Sequence, residues 1–130
     1  MGMEISFRGG KKFEVRTRGH ELTVDLSPEK GGSDEGMTPP ELFIASLGTC
    51  IGVYAVSYLN TAGIDPAALK MDVDWSESED HKKISSIKVM VGLAGTELGG
   101  RKKALMAAMD KCLIHNTLRE HPSVEVIISE

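Results

Sequence analysis

The 130-residue sequence predicts an α+β domain, and three observations carry that expectation. Apolar and polar residues alternate in three short runs before residue 27, the period of half-buried strands. An uncharged stretch of 18 residues, Leu42 to Leu59, is too long for a strand and carries helix-start signals just before it. Two further alternating runs then precede a segment with apolar residues at helical spacing. The predicted order is β-β-β-α-β-β-α-β, in a single domain over residues 1–130.

Met3, Ile5 and Phe7 alternate with Glu4, Ser6 and Arg8, and Gly9-Gly10 supplies a turn. Phe13 and Val15 alternate with Glu14 and Arg16 up to a second turn at Arg18-Gly19-His20. Leu22, Val24 and Leu26 then complete an antiparallel meander with one buried face. From Ser27 to Met37 the composition turns to Pro, Gly, Ser and acidic residues, a loop expected to be mobile. Thr38 as N-cap, Pro39 at the first helical position and Glu41 three residues after Thr38 form a capping box. The helix they start should run to about Ala62, where Gly63 can take the left-handed position and Pro66 blocks continuation. It is apolar around most of its circumference, so burial on nearly all sides is expected. Lys70 to Ser76 and Ile87 to Leu93 alternate as partner strands. Lys102 to about Arg119 reads as one helix, with Leu105, Ala108, Met109, Cys112 and Leu113 on one stripe. Val124, Val126 and Ile128 form an expected last strand. Two largely apolar helices need more cover than so short a chain offers, and a homodimer in which each subunit helps bury the other's long helix resolves this.

Composition narrows the function. Hydrophobic residues make up 41% and charged residues 26%, the balance of a soluble globular chain, and the net charge of −4 argues against nucleic acid as a partner. Leu42 to Leu59 has the length of a short membrane span, but Ser46, Gly48, Thr49, Gly52 and Ser57 interrupt it and neither flank carries Lys or Arg. A core helix is the better reading, with no membrane partner. Met1 to Lys12 contains no apolar run, so no signal peptide is expected, and a cytoplasmic location follows.

The two cysteines are the residues best able to carry chemistry. Cys50 and Cys112 are the chain's only cysteines, too few for a disulfide scaffold or a four-cysteine zinc site. Each falls on a core-facing helix position, so both can meet. Either one alone fits a small buried hydrophobe; a meeting pair in a reducing compartment points to redox chemistry. Cys112 and His115 have C-x-x-H spacing, but zinc would need two further ligands and only Cys50 suggests itself, so no metal is expected. No G-x-S-x-G elbow and no phosphate-binding glycine loop occurs. A thiol buried in an apolar helix has a raised pKa and is inert, so a reactive Cys50 needs a cation. The dipole of its own helix has faded by mid-helix. The candidates are Arg8, Arg16, Arg18 and Arg101, with Arg16 first, on the strand face away from Phe13 and Val15.

Gly36-Met37-Thr38-Pro39-Pro40-Glu41-Leu42 followed by Ala45-Ser46-Leu47-Gly48-Thr49-Cys50 resembles the first cysteine motif of the OsmC/Ohr family, the osmotically inducible and organic hydroperoxide resistance proteins. Lys111-Cys112-Leu113-Ile114-His115-Asn116-Thr117-Leu118 resembles the second, where that family usually has Cys-Pro-Val-His. Asp25, Gly31-Gly32 and Val124-Glu125-Val126 fit as well, so the resemblance spans essentially the whole chain. It implies an OsmC-like fold in which antiparallel sheets wrap two central helices in an intertwined homodimer. It also implies a cysteine-based peroxidase without metal or organic cofactor. Cys50 would attack an organic hydroperoxide or hydrogen peroxide and become a sulfenate, Cys112 would close a disulfide with it, and a dithiol reductant would reopen the bond. Arg16, with Arg18 second, would hold Cys50 as thiolate.

Two positions depart from the peroxidase branch. Pro40 stands where that branch carries an acid ten residues before the first cysteine, and neighbouring Glu41 reads as a helix cap. Leu113 stands where proline is usual. Both place the chain among the broader OsmC-like proteins, which keeps two alternatives open: a non-enzymatic thiol redox sensor or small-ligand-binding dimer, and a structural dimer with inert core cysteines.

Overall fold

The computed structural model describes residues 1–129. The chain divides into two compact units, Met1–Ala45 and Ser46–Glu130. The first holds a meander of β1 (Glu4–Phe7), β2 (Phe13–Thr17) and β3 (His20–Val24), antiparallel in the order β1-β2-β3. Register places Ile5 opposite Val15 and Val15 opposite Leu22, with Phe7, Phe13 and Val24 in the next row. Facing residues share a side of the sheet, so the apolar set lies on one face as the alternation predicts. Phe7 and Phe13 meet edge to face at 5.7 Å. The β2–β3 turn is Arg18-Gly19, both at positive φ (49° and 80°), the two-residue hairpin geometry that suits strand twist. Residues 25 and 26, predicted as strand, lie beyond the end of β3.

The loop after β3 is organised by one side chain. Asp25 is 1% exposed. Its carboxylate accepts the N–H groups of Leu26 (2.8 Å), Ser33 (3.2 Å) and Glu35 (3.2 Å), curling residues 26–35 around it. A Cβ on Gly32 would stand 2.0 Å from the Leu26 carbonyl oxygen, so only glycine fits there. The loop is present where expected, and internal hydrogen bonds run through it. The loop delivers α1 (Pro39–Thr61) through the predicted capping box, Thr38 N–H to Glu41 Oε1 at 2.9 Å and Glu41 N–H to Thr38 Oγ1 at 3.3 Å.

The unit boundary falls within α1, and the second unit is built on the remainder of that helix. Leu47, Ile51, Ala55 and Leu59, four residues apart, form one buried stripe with Leu105, Met109 and Cys112. The inward residues of β4 (Leu69–Glu77) and β5 (Ile84–Leu93), among them Met71, Ile87, Val89 and Val91, pack against this cluster. Gly52 and Gly48 lie close to the Met71 and Val73 side chains. α1 ends as predicted at Gly63 (φ 71°). The Gly63 N–H bonds the Asn60 carbonyl and the Ile64 N–H bonds the Leu59 carbonyl, a Schellman closure. In the single chain Ser46, Thr49, Val53, Ser57 and Asn60 of this helix are exposed.

Two further corrections concern the C-terminal part. The single helix expected over Lys102–Arg119 is two, α2 (Lys102–Met109) and α3 (Leu113–Arg119). Asp110 and Lys111 tighten the end of α2, and Cys112 takes φ −54°, ψ 124°, which no helix interior accommodates. The last strand, expected at Val124, Val126 and Ile128, is not formed. Residues 121–129 carry no regular structure, and those three side chains are 82–88% exposed. A strand needs a neighbour to take its backbone hydrogen bonds, and within the described chain this segment has none.

Candidate thiol site

Cys50 lies mid-way along α1 and Cys112 at the break between α2 and α3, where it is the N-cap of α3. An α-helix leaves its first N–H groups without partners inside the helix. In α3 one of these groups goes to sulfur: the His115 N–H reaches Cys112 Sγ at 3.4 Å. Cys50 packs against the buried cluster that contains Cys112. Cys50 is half-buried and Cys112 has no exposed surface. The break that sequence periodicity missed is therefore what makes Cys112 the cap of α3 and gives its sulfur a backbone donor.

The two thiols titrate in opposite directions. Burial pushes Cys50 up, but the bonds from the Cys112 thiol and from the Ile114 and Leu113 N–H groups outweigh it, and the net direction is down. Burial also pushes Cys112 up, and its hydrogen bond and charge interaction with Cys50 push the same way. The His115 and Ile114 N–H groups only partly offset this, and the net direction is up. The opposed directions make Cys50 the thiol of the pair that ionises first.

Arg16 stands on β2 in the first unit, its Nε 2.6 Å from Glu14 and 3.2 Å from Glu21. It lies on the face away from Val15, as expected, and two carboxylates already engage it. Arg18 occupies the β2–β3 turn. Glu41 serves the capping box. His115 gives its backbone N–H to Cys112, and its ring lies 3.4 Å from the Arg119 guanidinium. Among the described residues no group of three or more His, Cys, Asp or Glu comes together to hold a metal ion. The second unit also contains a cavity of about 690 Å³ lined by apolar side chains of α1, α2 and β5, with Lys102, His115 and Arg119 among its polar lining; neither cysteine lines it.

Both cysteines are free, Cys50 half-buried and Cys112 buried. The profile of the family described as OsmC-like protein matches residues 31–127, which includes both cysteines. The chain belongs to the OsmC-like protein family. Solved structures agree on the fold. A candidate osmotic stress induced and detoxification response protein from Psychrobacter arcticus 273-4 superposes with a TM-score of 0.81 at 15% identity, over 88% of this chain and 85% of that one. The OsmC-like protein of Mycoplasma pneumoniae gives 0.77 at 17% identity, over 92% and 87%. An organic hydroperoxide resistance protein OsmC from Legionella pneumophila gives 0.62 at 21% identity, over 92% and 90%. At such identities the likeness establishes the OsmC-like fold that the cysteine motifs implied. A sequence comparison with curated proteins gives no match.

Proposed function

We propose that this OsmC-like protein is a cysteine-based peroxidase of the cytoplasm that reduces organic hydroperoxides or hydrogen peroxide. The observation that carries the reading is the sulfur pair itself: a half-buried Cys50 packed against the cluster that holds buried Cys112, with the Cys50 thiol pushed down and the Cys112 thiol pushed up. The Cys50 thiolate attacks one peroxide oxygen. The O–O bond breaks, the other oxygen leaves as alkoxide and takes a proton, and Cys50 becomes a sulfenic acid. The Cys112 sulfur then displaces hydroxide from Cys50, releasing water and closing a Cys50–Cys112 disulfide. A dithiol reopens it by exchange. No metal or organic cofactor enters this sequence. Arg16 is the side-chain cation proposed to support the Cys50 thiolate, within a homodimer whose second copy completes the site.

Intact mass after one equivalent of hydroperoxide tests the chemistry. The reduced protein should lose two hydrogens, and turnover should continue with a dithiol present. Cys50→Ser should abolish peroxide consumption. Cys112→Ser should consume one equivalent and leave a sulfenate at Cys50 that a dimedone-type probe traps. A trapped sulfenate at Cys112 in Cys50→Ser, and none at Cys50 in Cys112→Ser, reverses the two roles. The 690 Å³ cavity favours a second reading, a thiol module that binds a small apolar ligand without turnover. Disulfide formation without steady-state consumption in the presence of dithiol selects that reading.

A further inference from the structure

The seven residues of α3 bury no side chain, although Ile114 packs on the edge of the buried cluster. A helix this short does not hold its shape by itself, so its direction depends on ties to its neighbours. Arg119, the last residue of α3, supplies them at the far end. Its Nη2 lies 2.5 Å from Oδ1 of Asp110, the C-cap of α2. Its Nη1 donates to Asn116 Oδ1 at 2.7 Å and to the Asp110 carbonyl at 3.4 Å. The bridge closes residues 110–119 into a loop, and Cys112 stands inside it. Cys112 is bonded to both helices. Its N–H donates to the Met109 carbonyl at 3.2 Å, its carbonyl accepts the Asn116 N–H at 2.9 Å, and its sulfur accepts the His115 N–H at 3.4 Å. A swing of α3 about residues 110–112 therefore carries the Cys112 sulfur with it. We propose that Arg119 is a positioning residue for the sulfur pair: its bridge to Asp110 fixes α3 at the angle that presents Cys112 to Cys50, and so sets how firmly the Cys50–Cys112 disulfide holds. A disulfide tolerates a narrow range of geometries, and a loosened partner sulfur makes the bond easier to reduce. The inference rests on the reading of Cys112 as the resolving thiol, but it concerns the equilibrium of the disulfide, which is measurable without peroxide.

The full protein is equilibrated with a dithiothreitol redox buffer at pH 7, and the disulfide fraction is read by intact mass. Two electrons and two protons pass between the sulfur pair and the buffer. Both side chains of the bridge are partly exposed, so its loss should count as a screened ion pair with one charge-assisted hydrogen bond added. Arg119→Met should make the disulfide about threefold to tenfold easier to reduce, a potential higher by about 15–30 mV at ~30 mV per tenfold. Asp110→Asn should move the potential in the same direction. The double variant should move it no further than Arg119→Met alone, because both substitutions remove one bridge. An unchanged potential in Arg119→Met, a shift to lower potential, or additive shifts in the double variant overturns the proposal. If Arg119→Met fails to fold, Arg119→Lys is read in its place. It keeps the charge at Asp110 but gives up the second arm at Asn116, and should give a smaller rise in potential; no rise overturns the proposal. A potential that responds to Arg119 as described, in a protein that consumes no peroxide, upholds the positioning role and defeats the peroxidase reading. A pair that forms no disulfide in the oxidised buffer overturns both.

Discussion

A thiol in the middle of an apolar helix is held protonated by desolvation, and nothing in its own helix opposes this, because dipole stabilisation is confined to the terminal turns. That argument makes an arginine necessary only if no other helix ends at the sulfur. In this chain the N–H groups of Ile114 and Leu113, at the start of α3, push the Cys50 thiol down. The signal that would have exposed this in the sequence is a proline after Cys112, which marks a helix start; Leu113 erases it. Arg16 then acts on a thiol that is already depressed. Its guanidinium is held by Glu14 and Glu21, so it must leave at least one of them to serve a sulfur. Arg16→Met should still slow Cys50 alkylation at pH 7, by roughly tenfold for a lost cation, and Glu21→Gln should speed it by releasing the guanidinium. Because the Cys50 pKa is lowered, the alkylation midpoint should lie below the ordinary thiol value of about 8.5 in both the unmodified protein and Glu21→Gln. If Arg16→Met is silent and Arg18→Met is not, the role moves two residues along the chain. Silence in both removes arginine from the site.

At the scale of elements, the legible parts are those whose signals are local. Alternation gave the strands of both sheets within a few residues, the Thr38–Glu41 box placed the start of α1, and Gly63 placed its end. The break at 110–112 was not legible, because Leu105, Met109, Cys112 and Leu113 keep helical spacing straight across it and cysteine is not a customary N-cap. The order in the 26–35 loop was hidden for a different reason: polar composition describes an exposed loop equally whether or not a carboxylate organises it. Asp25 makes that order testable. Burial raises its pKa, but the N–H groups of Leu26, Glu35 and Ser33 and the charge of Lys12 lower it further, and the net direction is down. A carboxylate depressed in the folded state contributes stability above its unfolded value of about 3.9, and that stability is lost as pH falls through the folded value. Asp25→Asn should therefore lower Tm by about 5–10 °C at pH 7, as expected when buried N–H groups lose part of their acceptor. Its stability should fall less than that of the unmodified protein below pH 4. Gly32→Ala should be at least as damaging, because its Cβ meets backbone. Gly52→Ala meets only the flexible end of Met71 and should be milder. Equal Tm values for Asp25→Asn and the unmodified protein at pH 7 would show that the carboxylate does not hold the loop.

At the scale of the whole molecule, apolar side chains lack cover at three places among the described residues. On the meander Ile5 and Phe7 are 61% exposed although they share a face with buried Val15 and Val24. On α1 Val53 is 63% exposed, within a stripe that also carries Ser46, Thr49 and Ser57. Beyond α3, Val124, Val126, Ile127 and Ile128 are 76–88% exposed in a segment with strand composition and no strand partner. Soluble monomers rarely leave large apolar patches in water, and unpaired backbone in a β-prone segment invites pairing. One copy cannot supply the missing partners, whereas a second copy presents the same unfilled surfaces and can meet them reciprocally, as a two-fold interface does. The protein should therefore sediment at twice its 14.0 kDa at micromolar concentration. Its Tm should rise with protein concentration, since association stabilises only the folded chain. The double variant Val126→Asp, Ile128→Asp should weaken the dimer, because it puts charge on the segment left without a partner. A 14.0 kDa species with native circular dichroism at these concentrations, unaffected by the aspartates, would mean that these surfaces stay open in solution and that the thiol site works, if it works, within one chain.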